Sequence, residues 1–151
     1  NISINVDSHK HNELFHSSII KFNAINGKIN FDNSKLINKK IGFLELNDSD
    51  LVFQNNKLIL RTNALIKIQN LKNLFSMLQT PKKSRKLIKN ILINIDYDLL
   101  TNQIKINNLK INNTESTDEI INILDELNNS ESYNLNRSKR LLNRIIFAYE
   151  G

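Results

Sequence analysis

The sequence predicts an α+β, β-rich fold: a curved antiparallel meander with one inserted helix and two C-terminal helices packed on or capping it. Three observations predict it. Ile91, Ile93, Ile95 and Tyr97 alternate with Asn94, Asp96 and Asp98, the period of a strand with one dry face. Between residues 70 and 80 the period changes, and Leu71, Leu74, Phe75 and Leu78 form one helical stripe. From residue 115 onward apolar residues again recur at helical spacing. The organisation is a single domain over residues 1–151, with 1–111 mainly β and 115–151 the helical end.

Ile2, Ile4 and Val6 form the first strand, one whose partners are expected outside this stretch of chain. Phe15 to Phe22 and Lys28 to Phe31 flank Asn26-Gly27, a strong hairpin signal, and Asn33-Ser34 marks a second turn. Four strands follow: Ile41 to Leu46, Asp50 to Gln54, Leu58 to Thr62 and Ala64 to Gln69. Asn47-Asp48 and Asn55-Asn56 supply turns between them. Even-numbered apolar positions recur here (Leu44, Leu46, Val52, Leu58, Leu60, Ile66, Ile68), while Ile41, Phe43, Phe53 and Ile59 break the alternation. Pro81 ends the inserted helix. After the Ile91 strand, Ile104, Ile106, Leu109 and Ile111 define another, and the parity slip at Asn107-Asn108 predicts a bulge or a sharp bend. Ser116 to Glu119 fits a capping box with Ser116 as N-cap, ahead of an Ile120, Ile121, Leu124 and Leu127 stripe. Asn128 to Tyr133 is a linker. The last helix spans Asn136 to Tyr149, with Leu142, Ile145, Ile146 and Tyr149 on one face.

The length suffices for one domain with a real core. The absence of cysteine excludes a disulfide scaffold, a thiolate metal site and a cysteine nucleophile. Three glycines leave no room for a Gly-rich phosphate loop, and no Ser-His-Asp spacing is present, so no catalytic residue is assigned. Asn, Ile and Lys are abundant, as AT-rich coding favours. A net charge of +6 favours anionic partners, although the charges are scattered. No apolar run reaches the roughly 20 residues of a membrane span. A chain that starts at Asn1 rather than Met reads as an excerpt of a longer protein.

His9, His11 and Glu13 share a parity and a metal-like spacing, but a polar loop is favoured and no metal or other cofactor is assigned. Asp48-Ser49-Asp50 and Asp96-Tyr97-Asp98 lack the ligand number of a calcium loop. They read as a turn and as the wet face of a strand. Lys82, Lys83, Arg85, Lys86 and Lys89 form the densest basic cluster, either a solvated loop or a dock for anionic phosphates. Only Tyr97 offers aromatic stacking nearby, so nucleic acid is not expected as a partner. The apolar sheet face has two readings: helices cover it, or part of it stays open as a groove for acyl chains.

The segments Ala64-Leu65-Ile66-Lys67-Ile68, Leu74-Phe75-Ser76-Met77-Leu78-Gln79, Arg85 to Ile91 with Asp96-Tyr97, and Leu141 to Gly151 resemble the C-terminal region of AsmA-like proteins, notably alphaproteobacterial members. The resemblance covers roughly residues 27 to 151, as a pattern of strands and helices without a catalytic signature. It implies a relation to the TamB and YhdP groups of bridge-like lipid-transfer proteins. The parent chain would be anchored in the inner membrane and would extend through the periplasm. Its repeated β units would form an apolar groove for phospholipid moving towards the outer membrane. The function implied is non-enzymatic lipid handling in outer-membrane assembly. Partners would be phospholipid, the rest of the longer chain and envelope proteins. By that analogy Leu44, Leu46, Leu58, Leu60, Ile66, Ile68, Ile91, Ile93, Ile95, Tyr97, Ile104 and Ile106 line the groove. Lys82, Lys83, Arg85 and Lys86 meet headgroups. The helices would plug or cap the groove's end. A structural or protein-interaction module is the alternative reading, with a nucleic-acid-binding domain behind it.

Overall fold

Asparagine does in this chain what glycine does in most. Seven of the nine described non-glycine residues with positive φ are Asn: Asn26, Asn33, Asn55, Asn56, Asn102, Asn112 and Asn113. Asn tolerates the left-handed region better than other non-glycine residues, because its short amide can hydrogen-bond locally. Asn26-Gly27, Asn55-Asn56 and Asn112-Asn113 each place two consecutive residues there, as two-residue hairpins require. A chain with three glycines thereby makes a meander.

The computed structural model describes residues 2–7, 14–129 and 135–151. Its strands are β1 (Ile2–Asp7), β2 (Ser17–Ile25), β3 (Lys28–Asn30), β4 (Lys35–Asn38), β5 (Gly42–Gln54), β6 (Lys57–Ile68), β7 (Asn90–Asp98), β8 (Gln103–Ile111) and β9 (Thr114–Glu115). The helices are α1 (Leu71–Leu78), α2 (Asp118–Asn128) and α3 (Leu135–Ala148). All nine strands form one antiparallel sheet, in the order β1-β2-β3-β5-β6-β7-β8-β9. β3 and β4 share one position in the sheet, since each pairs β2 on one side and β5 on the other. The predicted α+β meander with one inserted and two terminal helices is the observed architecture.

Several boundaries differ from expectation. β1 finds its partner inside this chain, pairing β2 from Ile2↔Phe22 to Asp7↔Ser17. The strands expected on either side of Asn47-Asp48 are one strand, β5, carrying a bulge between Asn47 and Asp50. Likewise the strands expected over Leu58 to Thr62 and Ala64 to Gln69 are one strand, β6, which ends at Ile68. The bulge reverses parity. Leu51 and Phe53 therefore share the face of Leu44 and Leu46, facing Leu60 and Leu58 across the ladder, and Val52 falls on the other face opposite Ile59. The expected bulge in β8 is present: Asn94 pairs Asn108 while Ile95 pairs Ile106.

The two bulges and the β3–β4 break lie on one transverse line. Asn107 donates its side-chain amide to Asn94 (3.0 Å), Asn94 to Asn63 (2.9 Å), and Asn63 to the Asp48 carboxylate (3.0 Å). Further along the line, the buried Ser49 receives the Phe31 N–H and donates to Asp32, and the Ser34 hydroxyl is tied to the Lys21 backbone. Thr62 Oγ1, also buried, donates to the Asn47 carbonyl (3.1 Å). Ser49, Ser34 and Thr62 thus bond backbone groups near the β5 bulge and the β3–β4 break, where burial would make an orphan costly, while the Asn amides bond one another across the strands.

At α1, Asn70 is the N-cap, accepting from the Asn73 N–H, and Gln79 closes the helix in the left-handed conformation before Pro81. α2 departs from expectation at its start. Its N-cap is Thr117, which accepts from Ile120 N–H, whereas the Ser116 hydroxyl donates to the Leu109 carbonyl. The α2 face that packs inward carries Ile120, Ile123 and Leu124, and Ile121 is exposed. The linker expected at Asn128 to Tyr133 falls mostly outside the described residues. Asn128 itself ends α2 and bonds both the N–H and the carbonyl of Ile106 (2.7 and 2.8 Å), occupying the outer edge of β8 at its bulge.

Candidate functional site

Cross-strand register lays the candidate residues on a single sheet face. Leu36 opposes Leu44, which opposes Ile66, which opposes Ile91, which opposes Ile111. One step along, Leu46, Ala64, Ile93 and Leu109 make the next row. Beyond the bulges, Leu51, Leu60, Tyr97 and Ile104 make another, and Phe53 opposes Leu58. Ile29 opposes Leu51 and Ala24, and Ile20 and Phe22 oppose Ile4 and Ile2, extending the stripe to the β1 edge.

The helices cover only part of that face. α2 and α3 pack on each other, α1 packs on α3 and α2 packs on β8. The core they close contains Leu74, Phe75, Leu78, Ile88, Ile91, Ile93, Leu109, Ile111, Ile120, Ile145 and Ile146, with Ile66, Ile68, Ile95 and Ile106 packed against it. Six of the twelve groove candidates are thus core or its margin. The other six, Leu44, Leu46, Leu58, Leu60, Tyr97 and Ile104, lie outside that cluster and are half-buried. Leu36, Leu51 and Phe53 are among the members of the stripe that sequence parity missed. Leu51 and Phe53 were hidden by the β5 bulge, and Leu36 by the absence of a readable strand at β4. Phe53 stands 70% exposed, which marks this end of the face as wet or awaiting an apolar neighbour.

The opposite face is polar with a few apolar pairs. Lys35 pairs with Glu45 (3.2 Å) and lies 5.1 Å above the Phe43 ring; Lys67 lies 5.6 Å from the same ring. Phe43, which broke the alternation, is therefore sheathed by two lysine side chains on the wet side.

The basic loop is divided in its duties. Lys82 and Lys83 are exposed on a single 3-10 turn. Arg85 stacks 5.7 Å from the Phe75 ring and donates to the Thr80 carbonyl, and Lys86 donates to the Tyr149 carbonyl. Those two cations fasten the loop to α1 and to the end of α3. Lys82 and Lys83 remain the outward-facing members of the headgroup set.

The carboxylate pairs are structural. Asp48 and Asp50 belong to the β5 bulge rather than to the expected turn. Asp98 ends β7 and accepts from the Leu100 N–H (3.0 Å) and the Thr101 hydroxyl (2.8 Å). Desolvation raises its pKa, but the Thr101 hydroxyl, the Leu100 and Thr101 amides and the Lys57 charge together bring it below the usual value. Glu115 is also lowered: the hydrogen bond from Lys110, at 2.5 Å, is the main cause, opposed by desolvation and helped by the Lys110 charge. His9, His11 and Glu13 lie outside the described residues. Among the described residues no group of three metal-ligating side chains occurs, and no helix is long and apolar enough to cross a membrane.

Fold and face together define an antiparallel sheet domain whose apolar face is closed by helices at one end. No family model, curated protein or solved structure matches the chain.

Proposed function

We propose that this is a non-enzymatic lipid-handling domain of the bacterial envelope, similar to the periplasmic C-terminal region of an inner-membrane-anchored AsmA-like protein. Its uncovered apolar face holds acyl chains, and its helices stop the end of that face. One observation carries the reading: the stripe through Leu44, Leu46, Leu51, Leu58 and Leu60 continues the core face of the sheet beyond the helix-closed cluster. Exchange would be passive, because an acyl chain leaving a bilayer regains apolar contact at roughly 25 cal/mol per Å² buried. The buried polar residues Ser34, Ser49 and Thr62 run across the sheet between Leu44 and Leu46 on one side and Leu51, Leu58 and Leu60 on the other. Phospholipid, the remainder of a longer chain and envelope proteins are the partners that follow.

Native mass spectrometry of the chain purified from a bacterial host, with lipid extraction of the same sample, tests this. Co-purified phospholipid that disappears in Leu46→Asp/Leu60→Asp, with circular dichroism unchanged, is the expected result. A lipid-free, monodisperse wild-type chain would refute it. That outcome favours the structural-module reading, for which the supporting observation is the edge strand β1, with Ile2 and Ile4 about half exposed.

A further inference from the structure

The helical end carries a second surface, separate from the sheet face. Three ties hold the 79–90 loop against α3: Thr80 Oγ1 donates to Asn143 (2.5 Å), Lys86 reaches the Tyr149 carbonyl, and Asn112 bridges the Leu87 carbonyl and the Tyr149 hydroxyl. The rim so formed exposes two large apolar side chains, Leu87 at 66% and Phe147 at 62%. On α3, Phe147 lies in register with Arg144 and Arg140 at i−3 and i−7, all three exposed. Phe147 and Arg144 share a cleft with Pro81 and Ser84, whose turn bears the exposed Lys82 and Lys83. Lys89, also exposed, follows Leu87. The cleft's acidic members are Glu119 and Glu126, and Glu126 already pairs with Arg144 at 2.6 Å.

Exposed apolar residues set among cations suit one partner chemistry better than any other. We propose that the rim of the loop and α3 docks on an anionic lipid surface, with Leu87 and Phe147 entering the acyl boundary and Lys82, Lys83, Lys89 and Arg140 meeting the headgroups. Charge complementarity argues for this occupant. A purely electrostatic face for nucleic acid has no use for an exposed leucine, and Phe147 is its one exposed aromatic ring. The proposal concerns an intact bilayer rather than acyl-chain holding on the sheet face, and it shares only Lys82 and Lys83 with that reading.

Flotation of the 151-residue chain with vesicles of phosphatidylcholine, alone or mixed with phosphatidylglycerol, tests it. Binding is expected to require phosphatidylglycerol. It should fall roughly 25-fold in Lys82→Ala/Lys83→Ala, at about fivefold per cation. It should fall further in Leu87→Ser/Phe147→Ser, whose exposed positions leave the fold intact by circular dichroism. No binding to anionic vesicles overturns the proposal. So does binding that Leu87→Ser/Phe147→Ser leaves unchanged, or binding that duplex DNA abolishes as effectively as added anionic vesicles. Lipid co-purifying with the chain is read separately, so loss of vesicle docking leaves the sheet-face reading to its own test.

Discussion

Leu109 and Leu60 occupy the same face of the same sheet and differ in what lies over them. Leu109 is 1% exposed beneath the helices, and Leu60 is half-buried outside the core cluster. Truncation to Ala removes the same three carbons from each. At Leu109 the transfer loss is about 2.4 kcal/mol, at ~0.8 kcal/mol per methylene. A cavity that the packed helices fill only in part brings the total to about 3–5 kcal/mol. At Leu60 a side chain already partly in water loses about 1 kcal/mol, and solvent enters the gap. With a urea m-value of ~2 kcal/mol/M, Leu109→Ala lowers the unfolding midpoint by about 2 M and Leu60→Ala by about 0.5 M. Equal shifts would mean that Leu60 is covered as thoroughly as Leu109, and the division of the face would be wrong.

Gly42→Ala is expected to destabilise strongly, because Gly42 has φ +150° and a Cβ there would stand 2.0 Å from the Lys67 carbonyl oxygen; urea unfolding checks it. Thr117→Ala should cost about 1 kcal/mol as a lost N-cap, and Thr117→Gly only a few tenths, measured in the same way. Asp32→Ala should cost about 1–3 kcal/mol by leaving the buried Ser49 without its acceptor, with faster amide exchange at Ser49. Asp98 and Glu115 have folded pKa values below their ordinary 3.8 and 4.5, so their stabilisation is complete above those values and is lost as pH falls through the folded ones. The urea midpoint should therefore be insensitive to these groups near neutrality and decline below about pH 4.5, less steeply in Asp98→Asn.

Period was the legible part of this sequence. β7 and β8 are readable because Ile91, Ile93, Ile95 and Tyr97, and then Ile104 and Ile106, alternate with mostly polar residues, and the Asn107-Asn108 slip shows where β8 bulges. The β5 bulge was not readable, because Asn47-Asp48 has the composition of a turn. Only pairing with β6 on both sides of it keeps the strand continuous. β4 has no alternation of its own and exists because β2 and β5 flank it. At α2, the Ser116 to Glu119 spacing points locally to Ser116 as the cap. The Leu109 carbonyl, distant in sequence, takes Ser116 and leaves Thr117 the role. Of the basic loop, sequence gave the density of charge. The fastening of Arg85 and Lys86 depends on α1 and α3, whose positions no local pattern encodes.

Lipid handling by this domain, as proposed, requires acyl chains to lie on the apolar face beyond the helices. A photo-crosslinking amino acid placed at Leu60 or Leu46, in the chain expressed in a bacterial host, tests it most directly. Phospholipid adducts are expected at both positions and none at Leu65, whose side chain lies on the opposite face, with Leu109 silent beneath the helices. Adducts absent at Leu60 and Leu46, or equal on both faces of the sheet, would contradict it.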